Sequence, residues 1–114
     1  MSLRPARGDI WLTDFGVPVG QEAGCRRPAL VISSNRLNRI GAVAVVVPMT
    51  STERHLPTHV RVPVRPGTGL INEGWAKVDD VKSVSIQRLE EHLGEIDPLA
   101  LSKVEEALRL ILEI

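Results

Sequence analysis

Tyrosine is absent from this 114-residue chain, and only Trp11, Phe15 and Trp75 carry aromatic rings. Three rings are too few for a platform that stacks several bases. Any reading of nucleobases therefore rests on hydrogen bonds and at most one tryptophan, and Trp11 is expected in the core. The single cysteine, Cys25, excludes an internal disulfide and fits a reducing cytoplasm. With three scattered histidines (His55, His59 and His92) it offers no ligand pair at zinc-finger spacing, so no metal is expected. No apolar run approaches the roughly 18 residues that span a bilayer. The longest block, Ala42 to Val47, is strand-sized. Arg4, Arg7, Asp9 and Asp14 interrupt the first stretch of chain, so no apolar signal core is expected there.

Lysine is missing from residues 1–69, which carry nine Arg against Asp9, Asp14, Glu22 and Glu53, a formal charge of +5. Residues 70–114 carry five basic residues against ten acids, so the zero net charge hides a −5 second part. Such asymmetry allows one face to attract polyanions while another stays acidic. Compositional drift toward arginine explains the same numbers. An apolar fraction of 43% is ordinary for a globular chain, and the length allows one domain, residues 1–114.

Arg7 to Phe15 alternates and reads as a first strand. Gly16 to Arg27 has glycines at 16, 20 and 24 and reads as a long loop, a length that is often functional. Pro28–Ser33 and Ala42–Met49 are apolar and branched, as buried strands are; Ser34–Gly41 reads as a turn-rich connection. In Thr58–Val64 the residues Val60, Val62 and Val64 face one way, and Pro63 suggests an edge strand. Arg65–Gly69 is a turn, and Trp75–Val81 a weakly patterned strand. Asp97-Pro98 then starts a helix, with Leu101, Val104, Leu108, Ile111 and Leu112 on its core face and Leu99, Leu110 and Ile114 opposite. That second patch meets another subunit or frays at the chain end. These elements predict a mainly β fold with a C-terminal α-helix, built as a small, strongly curved sheet or barrel.

Three blocks are more specific: Arg7-Gly8-Asp9-Ile10-Trp11, Gly20 to Ser33 (GQEAGCRRPALVIS), and Pro48-Met49-Thr50-Ser51. In this order, with Leu56–Val60 (LPTHV) and Val78–Leu89 (VDDVKSVSIQRL) following, they resemble the MazF/PemK family of toxin endoribonucleases over residues 7–112. The resemblance implies an SH3-like β-barrel of the MazF/PemK/CcdB toxin type, usually a homodimer. It implies metal-independent cleavage of single-stranded RNA without a cofactor, and inhibition by a cognate antitoxin. Metal-free cleavage uses the RNA 2′-hydroxyl as nucleophile, leaving a 2′,3′-cyclic phosphate and a 5′-hydroxyl. That reaction needs donors aimed at a phosphorane, a base and an acid.

By resemblance Arg27 is the catalytic arginine, whose fork suits a phosphorane, and Thr50 the catalytic threonine. Arg26 stands at a position the family varies. Glu22 is the candidate general base, with a loop-ordering salt bridge as its rival. A glutamate in free water is a weak base at neutral pH, so the role needs burial or a neighbouring phosphate. Contacts to RNA are expected from Gln21, Ser51, Thr58, His59, Lys77 and Asp79. For His59, on the outward side of its strand, a solvent-exposed histidine is the plain alternative. The usual Gln and Arg of the family are replaced by Asp80 and Lys82, and an acid there is expected to repel phosphate and alter sequence preference. Two rivals stay open: a same-fold, CcdB-like toxin that poisons gyrase by binding, and a catalytically silent RNA-binding barrel.

Overall fold

A computed structural model describes residues 4–114; the N-terminal end of the expected 1–114 domain lies outside the described residues. The chain order is β1 (Asp9–Asp14), β2 (Arg26–Val31), α1 (Asn35–Ile40), β3 (Val43–Thr50), β4 (His59–Val62) and β5 (Gly74–Lys77). A 3₁₀ turn (Val78–Asp80) leads to β6 (Lys82–Ser85), a second (Ile86–Arg88) to β7 (Leu89–Glu95), and α2 (Pro98–Leu112) ends the fold. All strand pairs are antiparallel, in the order β4-β5-β3-β2-β1-β7, with β6 on the other length of β3. The mainly β fold with a C-terminal helix is as expected. The sheet is strongly curved but open, with β4 and β7 as edges that do not pair with each other.

Central strands bury both faces, which is why Ala42–Met49 reads as a continuous apolar run rather than an alternation. Successive residues point to opposite faces. Ile10, Leu30, Val47 and Met49 enter one core, closed by Ala100, Val104 and Ala107 of α2. Trp11, Ala29, Val31, Ala44 and Val46 enter a second core, closed by Val84 and Leu89. Each fully buried aliphatic side chain contributes about 1.5–3 kcal/mol, so these two layers dominate the fold's stability.

Three expectations change. Ser34–Gly41 holds the helix α1: the Ser34 side chain caps it by accepting from Leu37 N–H at 3.1 Å, and Gly41 ends it at φ 99°. Val64 and Leu112 were assigned to buried faces but are exposed. β4 ends at Val62, before Val64, and Leu112 is the last residue of α2. β4 is an edge strand as Pro63 suggested, and α2 starts at Asp97, whose side chain accepts from Ala100 N–H at 3.2 Å. Among the described residues no helix is long and apolar enough to cross a membrane.

Candidate active site

Arg27 is the second residue of β2 and Thr50 closes β3. The antiparallel register of these strands, with Ala29 opposite Pro48, brings the two residues to the same end of the sheet. Arg27 and Thr50 line one groove of about 480 Å³, together with Ser51 and the 69–74 segment. The Arg27 guanidinium is held at two points: Nε donates to the Gly24 carbonyl at 2.9 Å and Nη1 to the Met49 carbonyl at 3.4 Å. Its remaining N–H groups are free for an anion, and no carboxylate pairs with it among the described residues. Thr50 Oγ1 accepts the Thr52 N–H at 3.2 Å, which leaves its O–H available as a donor.

The backbone around Arg27 is built for this. A Cβ on Gly24 would lie 2.3 Å from Pro18 Cδ, so only glycine lets the loop fold back on itself there. Cys25 takes a left-handed φ of 62°, and the Phe15 and Cys25 N–H groups bond Cys25 and Gly16 carbonyls at 2.9 and 2.6 Å. These contacts direct the chain into β2 with Arg27 toward the groove.

A second groove of about 440 Å³ holds Gln21, Glu22, His59, Lys77 and Asp79. The 21–24 loop segment lines it with Gln21 and Glu22 and, through the Gly24 carbonyl, holds Arg27 of the first groove. Glu22 is two residues from Gly24, so their Cα atoms are within about 7.6 Å, and Gly24 in turn holds Arg27. Glu22 is exposed, and its carboxylate accepts the Val19 N–H at 2.8 Å rather than pairing with an arginine among the described residues. Thr58 lines neither groove, and its carbonyl accepts the Val78 N–H at 3.0 Å.

His59 differs from the exposed alternative. It lies on the outward side of β4, yet its side chain is only 2% exposed. Nε2 is 3.3 Å from Asp79 Oδ1, without hydrogen-bond alignment, and neither ring nitrogen has a hydrogen-bond partner. Lys77 donates to the Gln21 carbonyl. The Asp80 carboxylate faces Lys77 and Lys82, at 3.9 and 3.1 Å.

Residues 6–112 match the family of PemK-like, MazF-like toxins of type II toxin–antitoxin systems. The chain belongs to this toxin family. It is 34% identical to the endoribonuclease MazF9 of Mycobacterium tuberculosis, over 95% of this chain and 96% of that protein. The MazF crystal structure from Deinococcus radiodurans superposes with a TM-score of 0.88 at 28% identity, covering 99% of this chain and all of that one. A mycobacterial endoribonuclease in complex with its cognate antitoxin superposes at 0.78 with 30% identity and 96% of both chains covered. The open, curved sheet with its C-terminal helix is the fold of MazF toxins.

Reading the sequence missed two supports of this MazF-type site. The Gly24 carbonyl is invisible in residue chemistry, although a third glycine in one loop marks a constrained backbone. Asp80 was visible as an oddity, but its partners on the 21–24 segment come from 57 positions away.

Proposed function

We propose that this toxin is a metal-independent endoribonuclease of single-stranded RNA, with Arg27 and Thr50 as its catalytic pair. The observation that supports it best is one groove in which a guanidinium, fixed by two carbonyls, stands beside a hydroxyl with a free proton. The RNA 2′-oxygen attacks the adjacent phosphorus, the P–O5′ bond breaks, and a 2′,3′-cyclic phosphate and a 5′-hydroxyl result. Arg27 and Thr50 donate to the phosphoryl oxygens as charge builds there, where each preorganised donor is worth about 3–4 kcal/mol. Glu22, on the loop beside the groove, takes the 2′-hydroxyl proton. The leaving 5′-oxygen takes up a proton from water.

Gln21, Ser51, His59, Lys77 and Asp79 contact the RNA on either side of the scissile bond. Thr58, which faces neither groove, would contribute only through β4. The protein acts in the cytoplasm as a homodimer, and a cognate antitoxin silences it. The test is incubation of purified protein with a long defined RNA in EDTA. Cutting at a short recurring site is expected. Arg27→Ala and Thr50→Ala, each with the wild-type circular dichroism spectrum, should each cleave at least about 100-fold more slowly. RNA left whole by folded wild type overturns the proposal in favour of a binding-only toxin.

A further inference from the structure

An acid at residue 80, beside a groove for RNA, is electrostatically wrong for phosphate, yet the carboxylate has another use. Oδ2 accepts the Ala23 N–H at 2.6 Å. Lys82 Nζ stands 3.1 Å from Oδ1 and Lys77 Nζ 3.9 Å from Oδ2. Lys77 itself donates to the Gln21 carbonyl. These contacts are sheltered, with Asp80 14% and Lys77 17% exposed. The loop from Val17 to Glu22 is otherwise exposed, and it becomes buried at Ala23 and Gly24. An ion pair beyond β5 thus grips alternate residues of this loop, 21 and 23. Two peptide units further on stands the Gly24 carbonyl that holds Arg27 Nε at 2.9 Å. Only the φ and ψ angles of Ala23 and Gly24 separate the two units; Asp80 anchors the first of them and the Cys25 N–H bond to the Gly16 carbonyl the second.

We propose that Asp80 is a positioning residue: with Lys77 it clamps residues 21–23 and, through the Gly24 carbonyl, sets the direction of the Arg27 guanidinium. The proposal rests on the nuclease reading of Arg27. Removing the carboxylate leaves a buried N–H without a partner, which favours release of the loop. It also frees two ammonium groups beside the groove, and that added positive charge favours RNA binding. Chemistry and affinity should therefore part company, which general loosening of the fold would not produce.

The test combines single-turnover cleavage at saturating RNA with equilibrium binding of an analogue carrying 2′-deoxyribose at the scissile position. For Asp80→Ala the cleavage rate constant should fall by about 10–100-fold, as for other displaced catalytic groups, with analogue affinity equal or tighter. Asp80→Asn keeps an acceptor oxygen for Ala23 and should recover most of the rate. The clamp is overturned by a wild-type rate in Asp80→Ala, by equal losses in both variants, or by weaker binding at an unchanged rate. If Asp80→Ala does not fold, Asp80→Asn and Lys77→Met decide: the first should cut faster than the second, and the reverse order overturns the clamp. If the wild type itself cuts no RNA, the nuclease reading fails and the clamp is judged separately. The Arg27 Nε–H resonance in ¹⁵N NMR should then move in Asp80→Ala, and an unmoved resonance overturns the clamp.

Discussion

Gly94 sits on β7 opposite Ile10, where a Cβ would come within 2.1 Å of the Gly67 carbonyl oxygen. That carbonyl accepts the Glu95 N–H at 2.8 Å, so the 65–69 turn is seated directly on the strand. The same turn leads into Gly69 and Leu70, which with Leu93 wall the groove of Arg27 and Thr50. Gly94→Ala must push the turn away, and overpacking of this kind costs about 1–3 kcal/mol. A lowered Tm in thermal unfolding is expected; an unchanged Tm would show that the turn yields freely. At this scale the juxtaposition of Arg27 and Thr50 in one groove was legible, because their blocks have a specific residue order. What holds them was not. The value of Gly24, Asp80 and Gly94 lies in contacts with distant segments, and no local pattern announces such contacts.

Elements were legible wherever apolar spacing was strong. β1, β2, β3 and α2 stand within a few residues of their expected bounds. α1 was missed because its six residues bury only Asn38, whose Oδ1 and Nδ2 meet Ser33 at 2.5 and 3.2 Å. A polar anchor and caps at both ends offset the cost of nucleating so short a helix, and neither produces an apolar period. β7 was equally silent, since Leu89 and Gly94 are its only buried residues. α2 leaves Leu99, Leu110 and Ile114 exposed. For the proposed homodimer, sedimentation at micromolar concentration is expected to give twice the 12.5 kDa of one chain. A single species at the mass of one chain would refute it.

Over the whole molecule, the +5 and −5 parts of the chain do not separate into a basic and an acidic face. Four arginines of the first part pair with acids of the second: Arg7 with Glu105, Arg26 with Glu90, Arg61 with Glu73 and Arg65 with Asp97. Exposed pairs of this kind are worth at most about 1 kcal/mol each, so their effect is on the charge pattern rather than on stability. Arg27 escapes this pairing and keeps its charge for the groove, and the two carbonyls that hold it cannot neutralise it. Of the arginines left without an acid partner among the described residues, Arg27 is the one that folding orients beside a hydroxyl in a groove. The account stands or falls on what that pair does to a phosphodiester. The most direct measurement is the chemistry of the ends produced from a defined RNA in EDTA. A 5′-hydroxyl, labelled by polynucleotide kinase without prior phosphatase, and a 2′,3′-cyclic phosphate are predicted. A 5′-phosphate, or cutting that appears only when Mg²⁺ is restored, would contradict the account.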